Sequence, residues 1–132
     1  MMNAHKFVAD HGIDEAKRVL SGAPSEATHF EFIKTAFIKT AIYMQFCGGE
    51  WFWLNTNCNE WLLDYPNGIT ERQCLKELKQ VVESVEKITA LGGIGLANLI
   101  DQSTYGENLD LDRAIEDYKL FQAYMNGEVG NG

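Results

Sequence analysis

The clearest periodic signal lies between residues 70 and 91. Cys74, Leu78, Val81, Val85 and Ile88 recur at intervals of four, three, four and three, the spacing of one apolar stripe on an α-helix. Thr70 and Gln73 stand at capping-box spacing ahead of the stripe, and Gly92-Gly93 closes it. Ile94, Ala97 and Ile100 predict a further short helix to about residue 101, followed by a polar loop over residues 102–108. Asp110 can cap a last helix, with Leu111, Ala114, Ile115, Tyr118, Phe121, Gln122 and Met125 along one side. At the other end, Ala4, Phe7 and Val8 share a face of a short helix over residues 3–11, which Gly12 ends. Asp14 then suits the N-cap of a second short helix through Leu20, with Ala16, Val19 and Leu20 turned inward and Pro24 beyond its end.

The middle of the chain changes character. Residues 28–47 contain FIKTA twice in tandem, and a five-residue repeat is in phase with neither the strand period nor the helix period. Thr, Ile, Phe and Tyr dominate, which favours strands. One strand of that length would be unusually long, so the reading is a strand over residues 28–34, a break at the duplication and a strand over residues 38–47. Gly48-Gly49 fits a two-residue hairpin turn, because both central residues can take positive φ. Trp51-Phe52-Trp53-Leu54 follows as a strand, residues 55–59 as a turn, and residues 60–65 as another strand, closed by Pro66-Asn67-Gly68. The sum is an α+β fold: a small antiparallel meander packed against helices, with a short helical pair at the N-terminus. The long helix is expected to lie over the Trp-bearing ribbon. At 132 residues the chain is read as one domain over residues 1–126 with a flexible tail over residues 127–132.

Composition narrows function more than it names one. Apolar residues make up 45% of the chain and aromatics 11%, which excludes a disordered tail protein. Eleven Lys and Arg against nineteen Asp and Glu give a net charge of −8. Binding to a nucleic-acid backbone needs clustered cations that displace counterions, and Lys17-Arg18 is the nearest approach to a cluster. No apolar run approaches the ~20 residues of a membrane helix. The odd count of Cys47, Cys58 and Cys74, with no CxxC, suggests reduced thiols in a cytosol.

The chemistry-bearing residues form no recognisable catalytic set. The 10- and 15-residue gaps between the cysteines match no zinc pattern, so no metal or cofactor is expected. Gly92-Gly93-Ile94-Gly95 lacks the ending of a phosphate loop and follows a helix rather than a strand. His11 ends a helix, where a cation suits the dipole. His29, before an aromatic strand, and Cys58, in a hairpin loop, are the secondary candidates for chemistry. The primary candidate is an aromatic binding surface made by Trp51, Trp53, Trp61 and Tyr65. Trp and Tyr are common anchors of protein interfaces, and the same side chains are also a natural cover for a helix.

The segment HGIDEAKRVLSGAPSEATHF at residues 11–30 resembles the opening of a group of small, uncharacterised accessory or early-region proteins of lambdoid phages and prophages. The shared features are a Gly-Ile-x-x-Ala-Lys-x-Val-Leu run ending in Ala-Pro, and Ala27-Thr28-His29-Phe30. The helix over residues 75–84 and the closing helix over residues 111–117 are also similar, whereas the FIKTA duplication departs from the pattern. The resemblance implies a phage gene expressed in a bacterial cytoplasm and carries no catalytic residues. The expected function is a non-catalytic accessory protein that binds a host or phage protein, modulating defence or replication. A homodimer is also admitted. One alternative is a small enzyme or ligand-binding module that uses His29 and Cys58. Another is an acidic mimic of nucleic acid.

Overall fold

The computed structural model describes residues 4–63, 72–103 and 109–127. Tyr65, the turn at residues 66–68, Thr70 and the tail at residues 128–132 lie outside the described residues. The same holds for residues 104–108 of the expected polar loop; its first two positions, Gln102 and Ser103, belong to a helix.

The order of elements is α1 (Ala4–His11), α2 (Ile13–Gly22), β1 (His29–Lys34), β2 (Lys39–Cys47), β3 (Glu50–Asn55), β4 (Glu60–Leu63), β5 (Gln73–Cys74), α3 (Leu75–Ala90), α4 (Ile94–Ser103) and α5 (Leu109–Met125). The strands form one antiparallel sheet in the order β4-β3-β2-β1-β5. It is an α+β fold, with helices gathered against a meander.

Local chemistry explains most boundaries. Gly12, at φ 91°, serves both ends of the first corner: its N–H reaches the Val8 carbonyl at 2.8 Å, and its carbonyl accepts from Ala16. A side chain there would be strained, so α2 opens at Ile13 from a glycine cap, and Asp14 falls in its first turn. Gly48 and Gly49 both have positive φ, as a primed hairpin turn requires, and they place Cys47 opposite Glu50. The FIKTA duplication straddles the β1–β2 turn. There Thr35 Oγ1 accepts the N–H groups of Phe37 and Ile38, at 3.3 and 3.0 Å.

The long helix starts later than its sequence pattern predicts. Gln73 and Cys74 pair with Phe30 and His29 at the edge of β1, and the Leu75 N–H donates to the Thr28 carbonyl at 3.0 Å. Their backbone groups are therefore spent on the sheet, and Cys74 precedes the helix as a half-buried cap residue without a side-chain cap bond. The capping-box and stripe roles expected for Gln73 and Cys74 are corrected accordingly. The rest of the stripe, Leu78, Val81, Val85 and Ile88, is buried. The last helix opens at Leu109, one residue before the expected cap Asp110.

The core sits between the helices and one part of the sheet. Phe7, Val8, Ala16 and Val19 meet Phe30, Leu78, Val81 and Val85, with Phe32, Ala41 and Tyr43 packed at the margin. Tyr43 donates its hydroxyl proton to the Val19 carbonyl at 2.6 Å, tying β2 to α2. A second cluster joins Ile88 and Ala97 to Leu111, Ala114 and Ile115. The expectation that the long helix covers the Trp-bearing ribbon is overturned: α3 packs on α5, α1 and α2 and touches the sheet at β1 and β5. Among the described residues, β3 and β4 have no substantial contact with any helix.

Candidate functional site

Strand register decides which aromatic residues can act together. Residues directly opposite one another across a ladder share a face. Phe30 opposes Tyr43 and Phe32 opposes Ala41, and these define the helix-covered face. His29 opposes Met44, Met44 opposes Trp53, and Phe46 opposes Trp51. Trp51 and Trp53 therefore lie on the face away from the helices. Both are half-buried, and Phe46 beside them is 46% exposed. Trp61 opposes Leu54 and belongs to the other face. The structure brings together two of the sequence-nominated aromatics and separates the third, while Tyr65 lies outside the described residues.

Trp51 is the hub of the far face. Its ring meets His29 edge-on at 4.7 Å and tilts against Phe46 at 4.8 Å. The Arg72 guanidinium sits 4.5 Å from its centroid, within cation–π range. His29 Nδ1 is 2.8 Å from the Thr28 hydroxyl, whose oxygen accepts the Phe46 N–H at 2.9 Å. Burial holds the His29 imidazole below its ordinary pKa; Glu77 opposes that shift and Arg72 adds to it. The sequence marked the Trp residues and His29 but not Phe46 or Arg72, whose roles depend on strand pairing.

Cys58 does not join this group. It lies exposed in the β3–β4 turn, with its Sγ 3.9 Å from the Asn55 carbonyl oxygen. Trp51, which His29 touches, stands at the opposite end of that hairpin, beside Gly48-Gly49. Among the described residues, no group of three His, Cys, Asp or Glu side chains is placed to hold a metal ion. No described helix is long and apolar enough to cross a membrane.

A polar cluster that sequence reading missed lies in the helical layer. Asp117 of α5 is only 7% exposed. Its Oδ2 accepts from Ser84 Oγ at 2.7 Å and from Gln80 Nε2 at 3.3 Å, while its Oδ1 is 2.9 Å from His5 Nε2. The side chains come from α1, α3 and α5, 33 to 112 positions apart in sequence, so no local pattern could join them. The residue types are those of a hydrolase triad, but the order differs. The carboxylate stands in the centre, with the hydroxyl and the imidazole on separate oxygens. A nucleophile needs its base within hydrogen-bond reach, and here both are committed to Asp117. The cluster is a buried tie between three helices.

A third group surrounds Glu15, which is 8% exposed on α2. It accepts from Arg18 and pairs with Lys39 at 2.9 Å, joining α2 to the start of β2. His11, Asp14, Glu15, Arg18 and Lys39 line a shallow cavity of about 500 Å³, in whose wall Arg18 and Lys39 both pair with Glu15. The His11 ring sits tilted between Phe7 and Phe32, at 4.6 and 4.7 Å, and burial lowers its pKa. The hydrogen bond from Arg18 brings Glu15 down to about 2 from 4.5; burial opposes the shift and Lys39 assists it. Between those values the unfolded chain binds the extra proton, so stability is complete above pH 4.5 and is lost as the pH falls towards 2. Arg18 and Lys39 are half exposed and solvent-screened, which limits the net effect to about 1 kcal/mol. Glu15→Gln should therefore lower the urea midpoint at pH 7 and narrow the difference from the parent at pH 3. An equal difference at both pH values would assign the effect to packing instead.

No protein-family model, curated protein or solved structure matches this chain.

Proposed function

We propose that this chain is a non-catalytic accessory protein of a phage or prophage that binds a host or phage protein through the sheet face bearing Trp51 and Trp53. The observation that carries the reading is the location of these rings. Trp51 and Trp53 lie half-exposed beside Phe46 on the side of the sheet opposite the helices. Large aromatic side chains give contact area at small entropic cost and dominate interface energetics. Arg72 lays its guanidinium over Trp51 at the edge of the group, so the patch joins a polar margin to its aromatic centre. The resemblance of residues 11–30 supports the phage setting.

The test is affinity capture from infected or lysogenic cells with mass spectrometry, repeated with single substitutions. Trp53→Ala and Trp51→Ala should each weaken the captured complex by about 2 kcal/mol, roughly thirtyfold, with circular dichroism unchanged. Trp61→Ala, on the other face, should leave capture intact. Equal capture by all three variants would sink the proposal. So would unfolding of both far-face variants, which would make those rings core. Capture of the chain's own second copy alone would replace the foreign partner with a homodimer.

A further inference from the structure

The helical layer holds a feature independent of the aromatic face. Helices α3 and α5 flank a cavity of about 290 Å³ lined by Gln80, Glu83, Ser84 and Lys87 on one side and Arg113 and Ala114 on the other. Gln80, Glu83, Ser84 and Lys87 recur at helical spacing, so they form a polar stripe beside the apolar one. The small Ala114 side chain leaves room opposite that stripe. Two of the α3 side chains in the lining are already ordered, because Ser84 and Gln80 both donate to the buried Asp117. Lys87 and Arg113 are exposed and form no ion pair with another described residue. Among the described residues, Glu83 is the one carboxylate that lines this space with them.

We propose that this cavity binds a small polyol phosphomonoester, with the phosphate between Lys87 and Arg113 and the hydroxyls at Glu83. Arg offers a planar fork to phosphate oxygens and Lys a mobile point charge. A carboxylate accepts hydrogen bonds from hydroxyls, and the polyol part of the ester offers such hydroxyls at a distance from the phosphate that the free ion cannot reach. Glu83 therefore selects the ester over the free ion. The volume lies at the lower edge of the usual ~300–1,000 Å³ range for ligand pockets, which suits a head of a few carbons rather than a nucleotide.

The experiment titrates the full chain with glycerol 3-phosphate, inorganic phosphate and glycerol at constant ionic strength and follows backbone amides by NMR. Glycerol 3-phosphate should shift the amides of α3 and α5 around the cavity and saturate with a Kd of roughly 1 mM or below. Inorganic phosphate should bind the same amides more weakly, and glycerol should not bind. Lys87→Gln and Arg113→Gln should each weaken the ester by about tenfold or more, the value of one charge-assisted contact. Both side chains are exposed, so the fold should be retained. Glu83→Gln should keep phosphate binding and erase the preference for the ester. The absence of saturable shifts up to about 20 mM would overturn the site. Binding that neither cation variant weakens would overturn it too, leaving adventitious anion binding only. Equal affinity for phosphate and ester in the parent would overturn the polyol assignment.

Discussion

Replacing Phe7 with alanine is expected to cost about 3–5 kcal/mol, the usual penalty for removing a buried aromatic ring. Phe7 is fully buried. Its ring meets Phe30 at 5.3 Å and Phe32 at 5.1 Å, both nearly perpendicular, and His11 at 4.6 Å. These edge-to-face contacts add to the burial itself. Phe7 belongs to α1, and Phe30 and Phe32 to β1, so this one side chain joins the N-terminal helix to the sheet. A domain of this size has about 5–15 kcal/mol to lose, and the substitution should remove a large part of it. Urea denaturation followed by circular dichroism should show the midpoint falling by about 2 M. Phe7→Leu, which keeps most of the apolar volume, should recover more than half of the loss. A Phe7→Ala midpoint within about 0.5 M of the parent would mean that α1 does not dock on the sheet as described.

The second large effect is expected at Asp117. Asp117→Ala removes the common acceptor of Ser84 and Gln80 and the partner of His5. Ser84 is itself only 6% exposed, so its hydroxyl would be left desolvated and unsatisfied. The expected cost is about 2–4 kcal/mol, more than the value of the hydrogen bonds alone, because the stranded groups keep their desolvation penalty. Ser84→Ala should cost about 1 kcal/mol. In the double variant the two losses should not add, since Ser84→Ala removes one of the groups that Asp117→Ala strands. A coupling of about 0.5 kcal/mol or more in a double-mutant cycle is therefore expected. Strict additivity would show that Ser84 and Asp117 do not interact in solution.

The fold was legible in the sequence wherever a single element carries its own pattern. The two N-terminal helices, the hairpin at Gly48-Gly49, the break inside the FIKTA duplication and the stop at Gly92-Gly93 follow from local conformational preference and apolar spacing. Gln73 and Cys74 show where such reading fails. Their spacing fits the long helix, but the free edge of β1 offers their backbone a ladder, and that non-local offer prevails. The two FIKTA copies make the same point with identical residues. Phe32 packs at the margin of the core, whereas Phe37 is 98% exposed at the turn. Nothing within either copy distinguishes them.

The site was legible only in part. Trp51 and Trp53 share a face because strand alternation requires it, and that follows from the sequence. The placement of Trp61 on the opposite face depends on the β3–β4 register, in which Leu54 and not Trp53 stands opposite Trp61. The separation of His29 from Cys58 depends on the β1–β2 and β2–β3 registers, which set His29 beside Met44 and Met44 beside Trp53. The Asp117 cluster and the α3–α5 cavity join residues from different helices, and no local signal ties Ser84 to Asp117.

The amino-acid sequence alone determined the mix and approximate extents of helices and strands, the acidic balance and the face shared by Trp51 and Trp53, because each depends on composition or on neighbours a few residues apart. Tertiary structure alone decided which side of the sheet the helices cover, that the long helix packs on other helices rather than over the tryptophans, and where Asp117 finds its partners. Those outcomes depend on contacts between distant segments, and such contacts form wherever burial and hydrogen bonding can be satisfied together, whatever the local pattern prefers.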